Sequence, residues 1–165
     1  MQTFSSIKIR NIEIKEKQIQ IKIPDPIKTS GPNREQPILI LPFFNKNKRI
    51  CAASALKLYL EKTEGIRSNI QNLFISYEPL ITAVSSQTLS RWVKETLKNS
   101  GIDTDIYTAH STRHASTSAA KRRGTSIDSL RKTVGWTKSS TTFARFYDLN
   151  IIDSNDTFAK SILNL

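Results

Sequence analysis

The sequence predicts an α+β fold, mainly helical, with a small three-stranded antiparallel sheet near the N-terminus. Three observations carry this. Isoleucines alternate with other residues from Ile7 to Ile23, which is the period of a half-buried strand. A short apolar run, Ile38-Leu39-Ile40-Leu41, is stopped by Pro42. From Cys51 onward the apolar residues take up helical spacing.

Residues 1–50 form the β-rich part. Ile7, Ile9, Ile12 and Ile14 begin the first strand pattern, Glu16-Lys17-Gln18 is the hairpin link, and Ile19, Ile21 and Ile23 continue with Gln20 and Lys22 between them. The turn signals Pro24-Asp25-Pro26 and Gly31-Pro32-Asn33 bracket Ile27-Lys28-Thr29-Ser30, because Pro and Gly favour turn conformations. Ile38 to Leu41 is the third strand.

Residues 51–150 form the helical part. Ala52, Ala53, Leu56, Tyr59 and Leu60 share one helical face, and Gly65 closes that segment. Leu73 to Tyr77 is a short apolar run of extended character. Ser85-Ser86 offers an N-cap for the next helix. On that helix Leu89, Trp92, Val93, Thr96 and Leu97 line one face, and Arg91, Lys94 and Lys98 project from the other. Thr108 is placed to cap a further helix that carries Lys121, Arg122 and Arg123 in its last turn, where cations suit the helix dipole. Gly124 supplies its left-handed stop. Ser126 then caps a short helix holding Ile127, Leu130 and Val134, which ends at Gly135-Trp136. Ser139 or Ser140 starts another short helix through Tyr147. Residues 151–165, with Ile151, Ile152, Phe158, Ile162 and Leu165, make a C-terminal tail helix. The whole reads as a single domain, 1–165, without an internal repeat.

Composition narrows the function. Among 165 residues, 25 Lys and Arg against 14 Asp and Glu give a net charge of +11, which points to a polyanionic partner, most often nucleic acid. An acidic membrane surface would call for a polybasic block or a basic amphipathic terminus, and there is no run of five basic residues. One cysteine excludes an internal disulfide and a zinc site built on several thiolates. There is no apolar run of about 18 residues and no signal-peptide core at the N-terminus, so a reducing intracellular compartment is expected.

One stretch carries chemistry: Thr108-Ala109-His110-Ser111-Thr112-Arg113-His114. His110 and Arg113 stand three apart and share a helical face. They sit at a helix start, where free backbone N–H groups already favour an anion. An arginine fork beside an imidazole there is phosphate-binding chemistry. The plainer alternative is a histidine packed beneath a surface arginine.

Further along comes Gly135-Trp136-Thr137-Lys138-Ser139-Ser140-Thr141-Thr142-Phe143-Ala144-Arg145-Phe146-Tyr147. H-x-x-R-H, then G-W, then a late F-Y, in this order, resembles the tyrosine recombinase (phage integrase) family, especially the recombinases of eukaryotic mobile elements. The resemblance covers nearly the whole chain and implies the DNA breaking-rejoining enzyme fold. It implies Tyr147 as nucleophile, and His110 and Arg113 as the pair that holds the scissile phosphate. Trp136 takes the position where an indole N–H donates to a phosphate oxygen. Lys28 matches the hairpin lysine that protonates the leaving 5′ oxygen. Tyr147, with an unperturbed pKa near about 10, would attack to give a 3′-phosphotyrosyl intermediate, a covalent route that needs neither metal nor cofactor. Arg91, Lys94, Lys98, Lys121 and Arg122 are the candidate DNA contacts.

The implied partner is double-stranded DNA, bound by a homo-oligomer that forms a tetrameric synapse, with no membrane. The location follows as nuclear for a eukaryotic mobile element, and otherwise cytoplasmic. Two departures stand out. The family's first catalytic arginine lies on a helix before the sheet, whereas the first arginine here is Arg10, in a strand-like run. The sequence is therefore expected to begin just downstream of that residue, with impaired cleavage. Trp136 and Tyr147 are also 11 positions apart, slightly more than is common in the family. A decayed or domesticated remnant that only binds DNA or sister protomers, and a type IB topoisomerase-like activity, are the alternatives.

Overall fold

The computed structural model describes residues 1–27, 30–31, 36–78 and 80–134. Over these it is an α+β fold in the predicted order. β1 (Ile12–Ile14), β2 (Gln18–Lys22) and β3 (Ile38–Pro42) precede the longer helices α2 (Ala52–Thr63), α3 (Ser86–Asn99), α4 (Ser111–Arg122) and α5 (Ile127–Val134).

The sheet is antiparallel, in the order β1-β2-β3. Ile19 pairs with Ile14 on one side and Leu41 on the other, and Ile21 pairs with Ile12 and Leu39. This register follows from the isoleucine alternation, since a slip of one residue would turn every side chain to the opposite face. Ile19 and Ile21 are buried, while Gln20 faces Ile40 on the outer surface. Ile7, Ile23, Cys51, Ala53 and Leu73 complete the core with them.

Two parts of the strand reading need correction. Residues 2–5 form one helical turn, α1 (Gln2–Ser5), and Ile9–Asn11 form a 3-10 turn, so Ile7 and Ile9 do not belong to β1. Ile7 is buried nevertheless. The segment is held by a partner distant in sequence: Ile9 N–H donates to Gln71 O at 2.8 Å and Leu73 N–H donates to Ile7 O at 2.9 Å. Pro42 is the last residue of β3 rather than the residue after it, at the unpaired edge where a missing N–H costs nothing.

Helix ends follow the punctuation with some exceptions. Cys51 Sγ accepts the Ser54 N–H at 3.4 Å and caps α2, and Ser85 Oγ accepts Thr88 N–H at 3.1 Å and caps α3. Gly124 has φ +87°. Its N–H reaches Lys121 O at 2.8 Å and the Thr125 N–H reaches Ala120 O at 3.1 Å, the paired bonds of a Schellman stop. Gly101, with φ +78°, ends α3 in the same way: Gly101 N–H bonds Lys98 O and Ile102 N–H bonds Leu97 O, both at 3.0 Å. Gly65 does not close α2. That helix ends at Thr63 and runs into a 3-10 turn, Glu64–Ile66, which contains Gly65; the positive φ falls later, at Ser68.

Arg67 is buried, and no carboxylate among the described residues pairs with it. Its Nε donates to Thr63 Oγ1 at 2.8 Å, and its two terminal nitrogens donate to the carbonyls of Asn72 at 2.8 Å and Leu73 at 2.7 Å. The guanidinium carbon lies 5.3 Å from the centre of the Tyr59 ring. Arg67 thereby fixes the segment that holds the chain start. The predicted short helix through Tyr147 and the tail helix 151–165 lie outside the described residues.

Candidate nucleic-acid interface

Helix α4 begins from a tight turn built of hydroxyls. The Thr108 hydroxyl does not cap the helix as expected; it accepts the His110 N–H at 3.2 Å and shapes the turn that leads in. Ser111 Oγ accepts the Thr108 N–H at 3.1 Å, and the Ser111 N–H returns to Thr108 O at 2.9 Å. His110 is itself the N-cap, in helical conformation and without a side-chain cap bond. The reason is geometric. Two hydroxyls bond back into the turn, which leaves the cap position to the imidazole residue.

His110 and Arg113 are thus brought together in the first turn of α4. Arg113 N–H donates to His110 O at 3.1 Å, and both residues are exposed. The Arg113 backbone is further held by Thr117, a buried residue whose hydroxyl donates to Arg113 O at 2.7 Å, and by Ser116 at 3.1 Å. An arginine and a histidine at a helix start combine side-chain donors with the partial positive charge of the helix N-terminus. His114 is half-buried on the same helix.

Of the remaining candidates, Arg91, Lys94 and Lys98 are exposed on α3, opposite the buried Leu89. Arg122 is exposed at the C-terminal end of α4, while Lys121 is half-buried. Nine residues of helix separate Arg113 from Arg122, about 14 Å at 1.5 Å per residue, so the two ends of α4 cannot serve one phosphodiester. Lys28, Trp136 and Tyr147 lie outside the described residues. Next to Lys28, Ile27 and Ser30 exchange two bonds, Ser30 N–H to Ile27 O and Ile27 N–H to Ser30 Oγ, both at 2.8 Å.

Several features were not legible in advance. The Thr108–Ser111 turn has no residue pattern that separates it from an ordinary cap. Trp92, read as part of a core face, is half-buried and meets Tyr77 at 5.9 Å between ring centres. The two line an open groove of about 340 Å³ with Tyr59, Ile75 and Glu95, on a face of α3 other than the basic one. The Cys51 thiol is pulled from its ordinary value of 9.0 down to about 7, chiefly by the Phe44 N–H at 3.1 Å, then by the Ser54 hydroxyl and amide. It belongs to the buried core and not to this surface. Among the described residues no cluster of three or more His, Cys, Asp or Glu could hold a metal, and no helix is long and apolar enough to cross a membrane.

The family model described as "Phage integrase family" matches residues 2–151. No curated protein matches the chain. Among solved structures, the fold is similar to that of XerA recombinase, with a TM-score of 0.64 and 18% identity over 99% of this chain and 50% of that one. It is also similar to XerH site-specific recombinase in a post-cleavage complex with the palindromic difH substrate, with a TM-score of 0.61 and 18% identity over 97% of this chain and 38% of that one. The pre-cleavage complex of XerH with difH gives a TM-score of 0.59 and 17% identity over 86% and 36%. The chain spans half or less of the length of these structures.

Proposed function

The chain belongs to the phage integrase family, and from that membership we propose that it binds double-stranded DNA and recombines it at specific sites through a covalent phosphotyrosyl link. The observation that carries this reading is the exposed His110–Arg113 pair in the first turn of α4, on a chain of net charge +11. Arg113 and His110 hold the scissile phosphate and neutralise charge as the transition state forms. The Tyr147 hydroxyl loses its proton and attacks phosphorus. The bond to the 5′ oxygen breaks, and that oxygen takes a proton from Lys28. Trp136 donates its indole N–H to a phosphate oxygen. A 5′ hydroxyl from another strand then reverses the step and releases the tyrosine.

Arg91, Lys94 and Lys98 on α3, with Lys121 and Arg122 on α4, track the backbone; such contacts position a protein without specifying sequence. Copies of the chain assemble on DNA as a homo-oligomer, a tetramer in the synapsed state, and the tail 151–165 makes the contact between protomers. Arg10 sits in the 3-10 helix Ile9–Asn11 before β1 and not on an α-helix, so it does not match the family's first catalytic arginine. Loss of a preorganised charge donor costs about 10²–10³ in rate, and slow cleavage by the chain alone is the expected behaviour.

A duplex with a suicide nick tests the reading. A denaturant-resistant protein–DNA adduct that disappears in Tyr147→Phe, while duplex binding persists, supports the enzyme. Binding without adduct from either protein leaves the binding-only remnant in its place. Absence of duplex binding overturns both.

A further inference from the structure

We propose that Thr125 is a phosphoacceptor for a basophilic protein kinase, and that a phosphate there weakens the grip of the α4 C-terminal end on DNA. The second half rests on the DNA-binding reading above. Arg123, Gly124, Thr125 and Ser126 connect α4 to α5, and all four are exposed. Arg122 and Arg123 stand three and two residues before Thr125. Two guanidinium groups just ahead of a hydroxyl suit a kinase cleft lined by carboxylates, because each can make charge-assisted, bidentate bonds there.

The hydroxyls nearby are differently placed. Ser126 Oγ accepts the Ser129 N–H at 3.2 Å and caps α5. Ser116, which has Arg113 three residues before it, donates to Arg113 O from within α4, and Thr133 donates to Ser129 O at 2.8 Å from within α5. The Thr125 side chain makes no hydrogen bond to a described residue; its backbone N–H alone is engaged, with Ala120 O at 3.1 Å. A kinase binds its substrate extended, so the last turn of α4 must open. The Arg123 N–H there is shared between Ala119 O and Ala120 O, at 3.2 Å to each. Helix ends held by such long, divided bonds fray readily.

The transfer moves the γ-phosphoryl group of ATP to Thr125 Oγ1. The new P–O bond forms as the bond to the β-phosphate oxygen breaks; ADP leaves, and the hydroxyl proton passes to a base of the kinase. The product adds a charge of about −2 beside Lys121, Arg122 and Arg123. It also lies just before α5, where the helix amides favour an anion. The phosphate therefore draws the neighbouring cations to itself and repels the DNA backbone.

The test uses the full chain, the catalytic subunit of cyclic-AMP-dependent kinase and magnesium ATP, with the site mapped by tandem mass spectrometry. Phosphate on Thr125 is expected, with none at that site in Thr125→Ala and a rate at least about tenfold lower in Arg122→Ala or Arg123→Ala. A peptide of residues 120–128 is the control. If the peptide is a substrate and the folded chain is not, or if Ser126 takes the phosphate, the assignment is overturned; an inert peptide overturns it as well. Duplex binding by the phosphorylated chain should show a salt slope smaller by about 1.8, which is about 0.9 for each of the two α4 backbone contacts, Lys121 and Arg122, that the new phosphate neutralises. An unchanged slope refutes the switch. Failure of the unmodified chain to bind duplex refutes the DNA reading and leaves the modification result standing.

Discussion

The α3 stripe permits a quantitative test of where DNA lies. Arg91, Lys94 and Lys98 span seven residues, about 10 Å of helix, and all three are exposed, whereas Leu89 on the other side of α3 is 5% exposed. Their replacement together by glutamine removes three charges without touching the core, and such surface changes alter stability by about 0.5 kcal/mol or less each. If each cation holds one phosphate, the slope of log K against log salt falls by about 2.7. At about 0.1 M salt each contact contributes roughly 0.9 log units, so the triple variant binds about 500-fold more weakly. Fluorescence anisotropy with a labelled duplex, run across about 50–200 mM salt, reads both quantities. A triple variant that stays folded by circular dichroism and keeps the parent slope would refute the assignment of this face to DNA.

The sheet register makes a paired prediction. Ile19 is 0% exposed and Ile40 is 54% exposed, so Ile19→Ala should cost about 3–4 kcal/mol from lost burial and residual cavity, against less than about 1 kcal/mol for Ile40→Ala. Urea midpoints decide it: a larger cost at Ile40 would mean that the faces are exchanged, and equal costs would refute the burial difference. At Gly124 a Cβ would meet nothing within 4 Å, but φ is +87°, so Gly124→Ala should lose about 1 kcal/mol by backbone strain alone. Gly65 is equally open and has no positive φ, and Gly65→Ala should be neutral or stabilising in the same thermal scan. The Cys51 thiol is lowered to about 7 in the folded chain, so its thiolate contributes stability that is full above the unfolded value of about 9 and is lost as pH falls through 7. Urea midpoints should rise between pH 7 and pH 9 in the parent; an equal rise in Cys51→Ala would exclude the thiol as its source.

The sheet was legible because isoleucine alternation encodes both the strand and the buried face, and Ile19 and Ile21 are buried as that pattern requires. The N-caps at Ser85 and Ser126 and the stop at Gly124 were legible because each residue type satisfies a helix-end group in a way few others can. What escaped was decided by contacts far apart in sequence. Ile7 and Ile9 share the strand-like pattern, yet the Ile9 N–H and the Ile7 carbonyl bond to residues 71 and 73, which no local periodicity announces. Arg67 does not stand out in the sequence, since a lone arginine in a polar stretch gives no sign that Thr63, Asn72 and Leu73 will surround it. At the candidate site, residue type and spacing placed His110 and Arg113 together. The turn that presents them depends on which of several hydroxyls bonds inward, and Thr108 and Ser111 took that role in place of a conventional cap.

The clip between the chain start and Asn72 has a kinetic consequence. Lys8 Nζ donates to Asn72 Oδ1 at 3.0 Å, and Asn72 Nδ2 donates to Ser5 O at 3.1 Å, across 64 and 67 residues. The β1–β2 hairpin closes over three residues and can assemble in microseconds, whereas this latch must wait for a long loop to close. It should therefore form late in refolding and be among the first elements to open. Amide exchange at Ile9 and Leu73 would then report a sub-global opening that leaves the isoleucine ladder of β2 protected.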